Sequence, residues 1–412
     1  MGNILTTQAK TKRIIRHVII MGGISLLISQ KVLAAALFDH IVQPYVGTQL
    51  IYDSNLLRLP KNSLLGTVNS KGSFIEQLKA GLAINWQISQ QQLKVDANIN
   101  QNWFSTFNTL NYTGYNVLAQ WDWRLTQKLK GELSYNNSLV LGSFQQMNAL
   151  INNLRNREIY VANGAYEILP DWFLRAGFTR DSTSYPAREL QINDLVENRI
   201  DFGFRYANPL ENMVGFHVTL TDGKYSNRAA SSILDNAYTR VDYNLEGVWN
   251  YSVKTRIRGQ IGYTSQTFEH IKSRNFSDII ATGDILWQAT RKSSLYLEFW
   301  RDISAADNLT ASFQLNQGVR LTPAWTWSET PMIQVELPIS YEQQSSLGAL
   351  DFGNTSIPLQ QANNSMIQLN LNYTPIPNVK MTAFALYEER RSNNPLQSYQ
   401  HQSVGLTMNV SF

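Results

Sequence analysis

Apolar and polar residues alternate along this chain with a period of two. In Tyr115–Leu125, Tyr115, Val117, Ala119, Trp121, Trp123 and Leu125 alternate with Asn116, Leu118, Gln120, Asp122 and Arg124. In Val196–Tyr206, Val196, Ile200, Phe202, Phe204 and Tyr206 oppose Glu197, Arg199, Asp201, Gly203 and Arg205. Lys94–Trp103 and Lys254–Tyr263 read the same way, and helical spacing fails in all four. Successive side chains of a strand point to opposite faces, so each segment predicts a strand with one apolar and one polar face.

The connections between such segments alternate in length. Tight turns are expected at Ser89-Gln90-Gln91, Thr126-Gln127-Lys128, Leu169-Pro170-Asp171, Asn208–Asn212, Ser252-Val253, Thr290–Ser293, Thr322-Pro323-Ala324 and Pro375–Asn378, where Pro, Asn, Asp and Ser suit turn geometry. Longer loops are expected near Asp53–Ser73, Gly142–Asn156, Ser182–Asp194, Asp222–Asp235, Glu342–Asn363 and Ser392–Ser398. The pattern predicts an all-β, antiparallel up-and-down barrel that crosses a membrane with about eighteen strands, sixteen being the alternative. Lipid cannot satisfy the N–H and C=O groups of a sheet edge, so such a sheet must close. An even strand count puts both termini on one side, here the periplasm.

Both ends of the chain agree with this reading. Lys10, Lys12, Arg13, Arg16 and His17 form a basic region, Val18–Ile28 an apolar one, and Val32–Ala36 offers small-residue cleavage sites. That order predicts a signal peptide over 1–36 and a barrel over 37–412. At the other end, Val404, Leu406, Met408, Val410 and Phe412 alternate with Ser403, Gly405, Thr407, Asn409 and Ser411. This resembles the closing strand of bacterial outer-membrane barrels, which typically end on Phe. The resemblance makes Phe412 an expected signal for the outer-membrane assembly machinery, and the outer membrane of a Gram-negative bacterium the expected location, with lipid as a partner.

Composition narrows the function. The chain has 35 Lys+Arg against 31 Asp+Glu and a pI near 9.0. The leader carries five of the basic residues and no acidic one, so the remainder is nearly neutral and gives no reason to expect nucleic acid as a partner. There is no Cys, which excludes disulfides and a lipoprotein anchor. Mean hydropathy of −0.26 with 11% aromatic and 16% charged residues suits a wall that meets lipid at every second position.

The polar face supplies the candidate site residues. Arg124, Arg199, Asp201, Arg205, Lys254, Arg256 and Arg258 are expected to line the pore, either as a constriction that reads anionic or hydroxyl-rich cargo or as partners in cross-strand ion pairs. A charge added on this face, as in Gln120→Arg or Gly203→Arg, is expected to be tolerated. Glu388-Glu389-Arg390-Arg391 reads as a solvated rim, and Tyr52-Asp53-Ser54-Asn55 as an Asx-type turn. His217 sits on a polar face with Thr219 and Thr221. A Ser or Thr near one His is common in so hydroxyl-rich a chain, and no His/Asp/Glu spacing marks a metal site. No catalytic residue, metal or cofactor is expected.

Ile51–Pro60, reading Ile-Tyr-Asp-Ser-Asn-Leu-Leu-Arg-Leu-Pro, resembles the first strand and loop of the EpsL-like outer-membrane proteins. These are β-barrel porins of exopolysaccharide operons, which often accompany exosortase/PEP-CTERM systems. Asn111-Tyr112, Trp121–Thr126, Leu133-Ser134-Tyr135, Arg274–Ser277 and the closing strand add to the resemblance. It implies a conduit or scaffold for polysaccharide export, with polysaccharide and periplasmic export components as partners. A diffusion or uptake porin for small solutes is the alternative, and an outer-membrane enzyme or adhesin a third.

Overall fold

The computed structural model describes residues 41–61, 70–145, 150–231, 234–305, 313–347 and 360–412. The expected leader lies outside them. The strands are β1 (Val42–Asp53), β2 (Ser73–Ile88), β3 (Gln91–Phe104), β4 (Tyr112–Arg124), β5 (Leu129–Leu141) and β6 (Leu154–Leu169). They continue as β7 (Trp172–Ser184), β8 (Leu195–Ala207), β9 (Met213–Tyr225), β10 (Ala237–Ser252), β11 (Thr255–Phe268), β12 (Phe276–Trp287) and β13 (Ser293–Ala305). The last are β14 (Phe313–Glu329), β15 (Met332–Glu336), β16 (Ile339–Leu347), β17 (Gln361–Ile376), β18 (Val379–Ser392) and β19 (Tyr399–Ser411).

Each strand pairs with its sequence neighbours, and β19 returns to β1 from Tyr45↔Ser411 to Asp53↔Ser403. The sheet therefore has no free edge. β15 and β16 share one place between β14 and β17, so the wall has eighteen strands, as the turn spacing predicts. The interruption falls at Leu337-Pro338. Pro338 has no N–H for a ladder, and the flanks bridge the break: Leu337 N donates to Pro323 O at 3.0 Å and Gln368 N to Pro338 O at 2.9 Å.

Alternation sets the two faces. On β10, Tyr238, Asp242 and Asn244 are buried inside while Tyr243, Leu245 and Trp249 are exposed outside. Round the wall, Ile99, Leu133, Ile200, Ile261 and Leu369 form an exposed apolar belt. Trp86, Trp121, Trp172, Trp249, Trp287, Trp325 and Trp327 stand exposed close to the short turns. An apolar belt with aromatic rings at its rim is the outer surface of a membrane-spanning barrel. The short turns use left-handed residues at Ser89, Asp171 and Glu211, at or beside the expected turns.

At the long-loop end three loops fold together. Leu56, Leu57 and Leu59 after β1, Phe107 and Leu110 after β3, and Phe144 after β5 make one buried apolar cluster on Phe104, with Ile75 and Tyr112 against it. Asp53 turns the chain into this cluster. Asn55 N donates to Asp53 Oδ1 at 2.8 Å, the expected Asx turn. The Asn55 side chain then clamps Leu59, donating to its O at 2.8 Å and accepting from its N at 2.9 Å.

Candidate functional site

The barrel interior is the candidate site. Strand registers put Arg124 of β4, Arg199, Asp201 and Arg205 of β8, and Arg256 and Arg258 of β11 on the inner face. Lys254 instead precedes β11 and sits in the turn, where its N–H donates to Ser252 Oγ at 3.2 Å. These residues do not form one cluster. They divide among separate stretches of the interior.

Near the short turns, a cavity of about 640 Å³ is lined by Asp122, Arg124, Lys130, Glu132, Arg175 and Arg205. Lys94 Nζ pairs with Asp122 at 2.9 Å. Arg175 bridges two strands, 2.8 Å from Glu246 Oε1 and 3.4 Å from Asp201 Oδ2. Lys130 and Arg205 share the Phe173 ring, 5.0 and 5.5 Å from its centroid, so one aromatic ring serves two like charges. On β11, Arg258 pairs with Asp284 at 2.9 Å.

Toward the long loops, a cavity of about 500 Å³ takes its lining from two sectors nearly half the ring apart. One contributes Arg155 and Arg157 of β6, Asp181 of β7 and Arg199 of β8. The other contributes Trp300 and Asp302 of β13, Asn316 of β14, and Glu342 and Gln344 of β16. Asp181 lies 2.6 Å from Arg157 and 3.3 Å from Arg199, which also pairs with Glu197. Glu342 accepts from Trp300 Nε1 at 3.1 Å, Gln344 Nε2 at 2.7 Å and Asn364 Nδ2 at 3.2 Å. Arg155 Nε has no hydrogen-bond partner among the described residues. Three arginines against two carboxylates, Asp181 and Glu197, therefore leave a small basic excess on one side, and two carboxylates, Asp302 and the anchored Glu342, lie on the other.

Above this, the folded loops narrow the mouth. Gln145 Nε2, in the loop after β5, donates to Glu388 Oε1 on β18 at 3.1 Å. Glu388 also accepts from Tyr399 Oη at 2.6 Å and lies 3.5 Å from His401 Nδ1. His401 Nε2 meets Arg58 Nη2 at 3.2 Å. Glu388–Arg391 is thus not one solvated rim. Alternation sends Glu388 and Arg390 inward, where Arg390 is almost wholly buried against Gln344 and Asn364, and leaves Glu389 and Arg391 paired outside at 2.9 Å.

Tolerance of charge on the inner face also has an exception. A Cβ on Gly203 would lie 2.3 Å from Phe216 O and 2.5 Å from His217 Cβ, so Gly203→Arg collides with the β9 backbone. His217 faces inward with Glu246 at 3.9 Å. Among the described residues, no group of His, Asp and Glu is arranged to hold a metal. Sequence reasoning missed Arg155, Arg157, Trp300 and Glu342. The alternation on β6 is blurred by inward Ile159 and Val161, yet the two-residue spacing of Arg155 and Arg157 carried the signal.

No family model matches the chain, and no curated protein matches it. Solved structures do. A BenF-like porin from Pseudomonas fluorescens superposes with a TM-score of 0.51 at 8% identity, covering 90% of this chain and 99% of that one. OpdK from Pseudomonas aeruginosa, solved with vanillate, gives 0.50 at 10%, covering 90% and 99%. OccK2 (OpdF) from the same organism, in complex with glucuronate, gives 0.50 at 10%, covering 90% and 98%. Identity this low establishes the fold alone, and that fold is the eighteen-strand barrel of outer-membrane porins.

Proposed function

We propose that the chain is a diffusion or uptake channel for small polar solutes, those bearing a carboxylate in particular. The observation that carries this is the cavity of about 500 Å³ shared by opposed sectors of the wall, with Arg155, Arg157 and Arg199 on one side and Glu342 on the other. A passing carboxylate would meet guanidinium donors, which bind it in charge-assisted pairs, while hydroxyls of the same solute bond the amides and carboxylate opposite. The structures with vanillate and glucuronate add support, since both ligands are small carboxylates.

Export of polysaccharide, implied by the sequence resemblance, draws no support from the interior. The Ile51–Pro60 motif behind that resemblance is occupied in folding the mouth inward, through Asp53, Asn55 and the three leucines. The test is reconstitution in planar bilayers and liposomes. We expect ion-conducting openings, with glucuronate entering faster than glucose and Arg155→Gln removing much of that preference. A well-folded protein that neither conducts nor swells liposomes in either sugar would overturn the channel.

A further inference from the structure

Three charged groups in the cavity of about 500 Å³ have no ion pair among the described residues: Arg155 on one side, Asp302 and Glu342 on the other. The neighbours of Arg155 are already engaged. Arg157 and Arg199 share Asp181, at 2.6 and 3.3 Å, and Arg199 also pairs with Glu197. Arg155 Nε is buried with no hydrogen-bond partner among the described residues.

Opposite, Glu342 is held by neutral donors alone: Trp300 Nε1, Gln344 Nε2 and Asn364 Nδ2. Asp302 takes a hydrogen bond from the Asn316 side chain. Two cations of this sector are bonded elsewhere. Arg320 lies 3.6 Å from Glu298 and 5.7 Å from the centre of the Trp300 ring. Arg390 donates to Gln344 and Asn364, so it reaches Glu342 only through those amides. A carboxylate that accepts from neutral donors keeps its charge, so Asp302 and Glu342 form a negative pole facing the basic side.

We propose that this cavity selects dipolar solutes whose two charges stand apart: a carboxylate at one end, meeting Arg155, and an ammonium or guanidinium group at the other, meeting Asp302 and Glu342. This rests on the small-carboxylate reading and narrows it. Each end then forms a charge-assisted hydrogen bond, and a solute bonded at both walls crosses the path in one orientation. A simple α-amino acid cannot span the poles, because its ammonium sits beside its carboxylate. A plain carboxylate leaves the negative pole without a partner.

Two isomers make the test. ε-Aminocaproate carries its ammonium at the end of the chain, and α-aminocaproate carries it beside the carboxylate, with the same composition and net charge. Their uptake as radiolabelled solutes is followed in liposomes holding the full protein, with caproate as the plain anion. We expect ε-aminocaproate to enter several-fold faster than the α isomer. Asp302→Asn combined with Glu342→Gln should bring the two isomers to equal rates and should speed caproate, since the negative pole is gone. Asp302→Asn alone, the milder change, should remove part of the difference, and it decides the matter where the double variant does not fold. Heat-modifiability reports folding in each case. Equal entry of the isomers through the wild-type protein would overturn the proposal, and so would a difference that survives in the folded double variant. Either result leaves the small-carboxylate reading standing. That reading fails separately if caproate enters no faster through the wild type than through Arg155→Gln.

Discussion

Arg58 reaches back over the turn to Asp53, with Nη1 2.9 Å from Oδ2, and this pair turns the loop after β1 into the barrel. Both groups are largely buried, so removing one leaves the other charge without its partner. Asp53→Ala should release the loop and widen the mouth, and Leu57→Ala should act in the same direction by emptying the centre of the apolar cluster, where Leu57 is 0% exposed. Truncating a buried leucine costs about 2–5 kcal/mol, enough to free a loop while the wall remains closed. Larger, noisier conductance with unchanged heat-modifiability is the expected record. Wild-type conductance in both variants would show that the loop does not narrow the path.

Facing should decide tolerance along the strands. Val117 and Phe202 are on the outer face, and Arg there costs about 2–4 kcal/mol near the bilayer midplane. Gln120 faces inward and lies beside Asp122, so Gln120→Arg should assemble at wild-type yield. Gly203→Arg, also inward, should fail, because the β9 backbone occupies the space. Yields of folded, heat-modifiable protein rank the four. Equal yields would refute the assignment of faces.

Phe412 continues the outer face of β19, and its N–H donates to Pro44 O at 2.9 Å, tying the end of the chain to β1. Deleting Phe412 should lower the fraction of folded protein in the outer membrane. Refolding of the same variant into detergent, without assembly machinery, separates the two roles. Loss in cells alone marks a signal, and loss in both marks a structural closure.

Asp235 links two loops outside the wall. Burial alone would raise its pKa, but N–H donors from Ile271, His270 and Ala237 with the His270 ring outweigh this and hold the carboxyl below its usual range. Ile271 N and His270 N each lie 2.7 Å from Oδ2. A depressed carboxyl contributes fully above its unfolded value of about 3.9, and the contribution is lost as pH falls through the lower folded value. Protection of the His270 and Ile271 amides, the exchange rate relative to an unfolded chain at the same pH, should therefore stay high at neutral pH and fall only below about pH 4. Asp235→Asn should show low protection at every pH. Wild-type protection in Asp235→Asn would show that the carboxylate does not tie the two loops.

The wall was legible because a lipid-facing strand must alternate, and Tyr115–Leu125 or Val196–Tyr206 carry that alternation almost unbroken. Most short turns were legible for a similar reason, since Pro170-Asp171 and Pro209 mark them chemically. The turn expected at Thr322-Pro323-Ala324, however, lies inside β14, where Pro323 pairs opposite Leu295, and the chain reverses at Thr330-Pro331 instead. The interior was less so. Arg155 and Glu342 approach one cavity only because β6 and β16 lie across a closed ring, and no local pattern encodes that distance. Gly203 looked like a small polar-face residue, while its role is to admit the β9 backbone. The inward fold of Ile51–Pro60 depends on Phe107, Leu110 and Phe144 from two other loops, and a single segment could not announce it.

The arginines of β11 separate a bracing role from a selective one. Arg258 is half-exposed and paired with Asp284 at 2.9 Å, whereas Arg256, exposed on the same face, has no ion pair among the described residues. An exposed pair contributes only about 0–1 kcal/mol, so neither Arg256→Gln nor Arg258→Gln should impair assembly. Selectivity should respond to both. Arg256→Gln removes one free positive charge and should move the reversal potential modestly toward cations. Arg258→Gln leaves the Asp284 carboxylate uncompensated, the same net change of one charge, so its shift should be of similar size, and the double variant should exceed either. Screening shortens to about 3 Å at 1 M salt, so the shifts should shrink as salt rises. Wild-type reversal potentials in the well-assembled double variant at low salt would mean that solutes pass clear of β11. Selection would then rest on the opposed walls around Arg155 and Glu342.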